Sequence, residues 1–152
     1  MAMQLYEIGT RHGARRRAHS GLHYFADCAL IGGDYPEAEV RYRRALADAV
    51  QWDLLPMCPE ELMGVAMSVA AQGDHRRAVQ LAAASNARKA ELGTTGTTQF
   101  WVDLQDRHVG GARAHLSPSE VEEAERSGRE APFESVLDEV LGPDWAADSH
   151  AH

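Results

Sequence analysis

His19 and His23 stand four residues apart, and Asp27 follows four further on. On an α-helix this spacing places all three on one face. Two histidines at i, i+4 can hold a metal ion. A histidine beside a carboxylate can carry acid–base work, or the carboxylate can bind a donor on a partner. No further residue continues the set with metal-ligand spacing, so ordinary solvated histidines compete with the metal reading. Cys28 is a nucleophile by type, but it lies five residues from His23, which points the two to different helix faces. The sequence holds no Gly-x-Ser-x-Gly elbow, no His-Glu-x-x-His helix and no Gly-x-x-x-x-Gly-Lys-Ser/Thr phosphate loop. The chain is expected to be no enzyme, with no metal and no cofactor.

A second candidate is the basic run Arg11, Arg15, Arg16 and Arg17, which as a phosphate contact would point to nucleic acid. Charge by segment argues against this. Residues 1–58 carry seven Arg and seven acids, residues 59–115 six bases and six acids, and residues 116–152 two Arg and ten acids. The net charge of −8 therefore gathers at the C-terminal end, whereas phosphate binding needs a basic surface. The four Arg read as a solvated helix start, and the acids of 120–125 as a solvated face. Two cysteines, Cys28 and Cys58, are too few for a disulfide framework and read as buried thiols of a reducing cytoplasm. The start, Met-Ala-Met-Gln-Leu-Tyr-Glu, has neither the basic region nor the apolar block of a signal peptide. No apolar run approaches the roughly 20 residues of a membrane helix. At 152 residues, 44% hydrophobic and 25% charged, the composition is that of one globular domain.

The elements that must position these residues are all helical. Apolar residues recur at three and four: Leu22, Phe25, Ala26, Ala29 and Leu30; Ala38, Tyr42, Ala45, Leu46 and Ala49; Leu62, Val65, Ala66 and Val69; Ala78, Leu81, Ala82 and Ala84. Period-two runs of β-branched residues are missing, so strands are not expected. Gly32-Gly33, Pro56, Pro59, Gly73 and Gly93 punctuate the chain. Trp101, Leu104, His108 and Ala112 fit a further face. Ser117-Pro118-Ser119-Glu120 is a capping box opening the next helix. Phe133, Val136, Leu137, Val140 and Leu141 form the last helix, ended by Gly142-Pro143, and residues 144–152 read as a flexible polar tail.

These helices repeat. Gly33-Asp34-Tyr35 and Gly73-Asp74-His75 lie forty residues apart, and Ala38 and Ala78 each follow the glycine by five. Gly33, Asp34, Tyr35, Ala38, Tyr42, Ala45 and Leu46 resemble the turn and helix pattern of tetratricopeptide repeats. Gly73, Asp74 and Ala78 resemble a degenerate second copy, with His75 and Ala82 in place of aromatics. The resemblance implies an all-α fold of antiparallel helical repeats, an α-solenoid of about seven helices. The repeat units would span about 19–50 and 59–92, with capping helices across 99–141, in a single domain of residues 1–143. Such a stack presents a groove built from the first helix of each pair. By register His23, Asp27 and Ile31 face it from one pair, and Met63 and Met67 from the next, unless the methionines pack against the C-terminal helices instead. Residues 4–14 resemble the second helix of an earlier repeat, which would leave an apolar end open to a second copy of the chain.

The stretch 66–93 resembles the C-terminal helical repeats of large bacterial transcription regulators. These pair a STAND-type ATPase with a LuxR-type or SARP-type DNA-binding domain. Ala83, Ala84, Ser85, Asn86, Lys89 and Gly93 occupy the places of that family's last alanine-rich repeat, with Ala83, Asn86 and Lys89 replacing its Gly, Glu and Arg. The run 112–141 resembles its closing helices. The resemblance implies a non-enzymatic protein–protein interaction module in the cytoplasm, serving transcriptional or signal regulation. Its partner would be a protein or peptide, or other domains of a parent regulator. A homodimerising cap and a metal-binding or enzymatic protein built on His19, His23 and Asp27 are the alternatives.

Overall fold

The computed structural model describes the backbone of residues 2–94 and 96–150 and the side chains of 13–94 and 96–143. Among the described residues the regular structure is helical throughout, with no strand. Seven helices follow in order: α1 (Ala2–Ile31), α2 (Tyr35–Gln51), α3 (Cys58–Ala71), α4 (His75–Leu92), α5 (Gln99–Ala114), α6 (Pro118–Glu130) and α7 (Phe133–His150). A single 3-10 turn, Leu55–Met57, precedes α3. None of these helices is long and apolar enough to cross a membrane among the described residues.

Two ends differ from expectation. Residues 4–14 and 19–31 belong to one unbroken helix rather than two. Gly13 alone does not stop it, since a mid-helix glycine costs only about 1 kcal/mol against alanine. Beyond Gly142, at φ 70° and ψ 170°, the chain turns sharply but resumes as helix to His150, where a polar tail was expected. Pro143 is compatible with this because proline is tolerated in a first helical turn. Side chains of residues 144–152, and Arg11 with the rest of residues 1–12, lie outside the described ones.

The two Gly-Asp turns are near copies. Gly33 and Gly73 take φ of 83° and 95°, left-handed values that favour glycine. Asp34 and Asp74 follow at φ −87°, ψ 75° and φ −85°, ψ 72°. Their side chains accept from Glu37 N at 3.3 Å and Arg77 N at 3.4 Å, capping α2 and α4. Asp34 N donates back to Ala29 O and Asp74 N to Val69 O, both at 3.0 Å. Ala38 and Ala78 are fully buried just past each turn. Tyr35 is packed at the edge of the core. His75, which replaces it, stacks on His115 with ring centroids 4.2 Å apart.

Consecutive helices α1 to α4 pack on one another. α5 lies across α3 and α4, α6 runs against α4, and α7 packs on α2 and α4. α3 is therefore enclosed, and residues 61–70 are buried without exception. Its apolar residues share one cluster with Tyr42 and Leu46 of α2, Leu81 of α4, and Trp101 and Leu104 of α5. Burying each large side chain of this kind contributes roughly 1.5–3 kcal/mol. The arrangement corrects the groove assignment of Met63 and Met67, which are 2% and 0% exposed and belong to the core. They join the core cluster that also holds Trp101 and Leu104 of α5, which packs on α3, in line with the alternative the sequence left open.

Candidate functional site

A pocket of about 480 Å³ opens between α1, the start of α3 and the segment 96–101 that leads into α5. Its deep residues are polar: His19 and Glu61 are 2% and 1% exposed, Asp27 is buried, and His23 is half-buried. Its rim is apolar, with Tyr24, Ile31 and Phe100 all more than half exposed. Ile31 and Phe100 also line a second cavity of about 270 Å³ along the same seam, reaching Tyr35 and His108.

Each deep side chain is placed by its helix. The i, i+4, i+8 spacing of His19, His23 and Asp27 turns all three toward α3 on one face of α1. Glu61 follows Pro59 in the first turn of α3, where the helix dipole favours a carboxylate. The four residues connect. His19 Nε2 and His23 Nδ1 donate to the same oxygen, Glu61 Oε1, at 3.0 and 2.8 Å. On its other side His23 Nε2 lies 3.4 Å from Asp27 Oδ2. Tyr42, from α2 behind the pocket, donates its hydroxyl to Asp27 Oδ1. The Trp101 ring lies 5.1 Å from that of His23, centroid to centroid.

The electrostatics follow from this chain of contacts. Burial pushes the Glu61 carboxyl up, but hydrogen bonds from His19 and His23 outweigh it and hold the group below the ordinary carboxylate range. Burial works against a proton on His23. The hydrogen bond to Glu61 and the charges of Glu61 and Asp27 overcome it and raise the imidazole above its usual value. Only an imidazolium carries a proton on both nitrogens, which is the form that serves both carboxylates. Burial raises Asp27, against the hydrogen bond from Tyr42. Desolvation and the neighbouring Asp27 raise Tyr42 far above its ordinary value, so it remains a donor. Three buried polar atoms among the pocket-lining residues have no protein partner: His19 Nδ1, Glu61 Oε2 and Trp101 Nε1.

Of the residues singled out from the sequence, His23, Asp27 and Ile31 line this pocket together with His19. Met57 is the methionine that reaches it, in place of Met63 and Met67. The histidine nitrogens converge on a carboxylate oxygen rather than on an open point. No set of three or more His, Cys, Asp or Glu is arranged to hold a metal among the described residues. Cys58 is buried as expected, its thiol pushed up to about 12 by desolvation. Cys28 is exposed, because it sits on the pocket side of α1 and not on the side packed against α2. It and His23 line the same pocket despite their five-residue spacing. Arg15, Arg16 and Arg17 are exposed.

Sequence reasoning missed Glu61, Trp101 and the role of Tyr42. A signal existed for Glu61, which is an acid at the head of a run that is apolar on every side. A helix without a polar face is enclosed, so its one internal acid needs a partner. Trp101 was read only as part of a helix face with Leu104, His108 and Ala112, and Tyr42 as the aromatic of a repeat. Their convergence on α1 depends on how the helices stack. No protein-family model, curated protein or solved structure matches the chain.

Proposed function

We propose that this chain is a non-enzymatic binding module that takes a segment of a partner protein into the pocket between α1, α3 and α5. The observation that carries this is the pocket's construction, an apolar rim of Tyr24, Ile31 and Phe100 above a fixed polar floor of His23, Asp27 and Glu61. Rims of this kind bury apolar side chains, and a few fixed polar groups set orientation. Bond chemistry finds less support. Both His23 nitrogens are engaged by carboxylates, and the one unpartnered histidine nitrogen of the pocket, His19 Nδ1, is buried.

The matching Gly-Asp turns forty residues apart support a tetratricopeptide-like stack, with α1, α3 and α5 as its inner helices. Resemblance alone supports a place in bacterial transcriptional or signal regulation, as the tail or a stand-alone relative of a regulator, acting in the cytoplasm. The test is a pull-down from bacterial lysate with the chain and with Ile31→Glu/Phe100→Glu as baits. The expected result is a protein captured by the first and lost by the second. Its presence should slow amide exchange in segments 19–31 and 96–101. Equal capture by both baits overturns the reading, and capture of the chain alone replaces it with a homodimerising cap.

A further inference from the structure

We infer that the pocket is a receptor for an organic cation, an ammonium or guanidinium with a hydrogen-bond acceptor beside it. The inference rests on the binding-module reading and specifies its ligand. Charge selects first. Three carboxylates, Asp27, Glu60 and Glu61, line the pocket, and no Lys or Arg does among the described residues. The one lysine of the sequence, Lys89, is already engaged, 3.9 Å from Glu60 and donating to Thr97. An anionic ligand would meet no fixed cation other than the histidines, of which His23 has both nitrogens on carboxylates and His19 has Nε2 on Glu61.

The walls select next. Tyr24, Phe100 and Trp101 line the same cavity, and aromatic faces attract organic cations through the ring quadrupole. The size, about 480 Å³, fits an amine with an attached side chain rather than a bare metal ion.

The unpartnered atoms then set the pattern. Glu61 is 1% exposed and its Oε2 lacks a donor. Trp101 is 6% exposed and its Nε1 lacks an acceptor. Buried polar groups are normally hydrogen-bonded, and these two ask for opposite things. A ligand with a charged nitrogen donor and an oxygen acceptor carries the two complementary groups. An α-amino amide has that pattern, and so does a basic residue in a peptide, with its own carbonyl.

The test is NMR titration of the whole chain with L-phenylalaninamide, with 3-phenylpropionate as the anionic counterpart. A second pair is a short Gly/Ser peptide bearing one Lys and the same peptide with Glu in its place. Phenylalaninamide should shift the Trp101 indole N–H and the His23 ring resonances, and 3-phenylpropionate should not. Glu61→Gln should weaken binding at least tenfold. If Glu61→Gln fails to fold by circular dichroism, Trp101→Phe and Glu60→Gln carry the same expectation. Equal binding of the anion, full affinity in a folded variant, or no shift from either cation overturns the inference. Binding of the amide without the Lys peptide keeps the cation receptor and removes the partner-segment reading. Equal binding of the Lys and Glu peptides does the reverse.

Discussion

Tyr42 fills the space that a side chain at position 64 would need: a Cβ on Gly64 would lie 2.3 Å from Tyr42 Cδ1. The ring is fully buried, and its hydroxyl is tied to Asp27, so it has nowhere to retreat. Gly64 thus lets α2 approach α3 and holds Tyr42 where it can reach the pocket. Gly64→Ala is expected to destabilise the fold by about 1–3 kcal/mol, as overpacking does, and to loosen the Asp27 contact. Denaturant unfolding checks the first and the Asp27 carboxyl resonance the second. A near-neutral Gly64→Ala would show that the helices can separate without loss.

Gly128 makes the parallel case where α6 crosses α4. A Cβ there would stand 2.1 Å from the backbone oxygen of Gln80. Backbone gives way less easily than a ring edge. Gly128→Ala is therefore expected to displace α6 and cost at least as much as Gly64→Ala, read by the same unfolding midpoint. Gly110→Ala is the control, since a Cβ there meets nothing within 4 Å. At that position alanine should be neutral or slightly stabilising, because it favours helix over glycine by up to about 1 kcal/mol.

The two caps are a test of whether the turns are equivalent in energy as well as in shape. Asp34→Ala and Asp74→Ala each remove an acceptor for a first-turn N–H. Each is expected to cost about 1 kcal/mol, with the double variant additive because the sites lie in separate turns. A loss at one position only would show that the second turn is held by other contacts, such as the stack of His75 on His115.

The helices, the Gly-Asp turns and the face bearing His19, His23 and Asp27 were legible because each depends on local rules: three-and-four spacing, left-handed glycine and side-chain capping. The pocket was only half legible. His23, Asp27 and Ile31 could be placed from the periodicity of one helix, but Glu61 and Trp101 arrive from α3 and the start of α5. No local rule sets that crossing. Met63 and Met67 went astray for the same reason. Their helix has no outer face once α5 lies across it, which a register argument confined to α3 does not contain. Phe25 departs too. It belongs to the apolar stripe of α1 yet stays more than half exposed, with the Arg41 guanidinium 3.5 Å over its ring.

Removing one member of the His19–Glu61–His23 group strands the others. Glu61→Ala leaves a buried and a half-buried imidazole without their shared acceptor, and His19→Ala leaves Glu61 with one donor. Breaking a buried pair from one side costs about 3–5 kcal/mol. Glu61→Ala is expected in that range and His19→Ala below it, because His23 still donates to Glu61. Thermal unfolding distinguishes them, and equal losses would mean that His19 and not His23 carries the contact.

The same group gives the fold a pH dependence whose sign can be worked out. His23 is raised above its ordinary 6.5 in the fold, so its contribution is complete below 6.5 and fades as pH rises through the folded value. Glu61 is lowered from its ordinary 4.5, so its contribution is complete above 4.5 and fades as pH falls through the folded value. Asp27, raised from 3.8 by burial, works in the opposite sense to Glu61 and softens the acid side. Other charged groups near His23 are Glu60, on the same end of α3, and Lys89 beyond it. Stability should therefore be greatest between the ordinary values of Glu61 and His23, 4.5 and 6.5. Chemical denaturation across that range and on both sides of it is the measurement. His23→Gln should flatten the alkaline decline and leave most of the acid one. An alkaline decline as steep in His23→Gln as in the native chain would place the responsible proton on another residue.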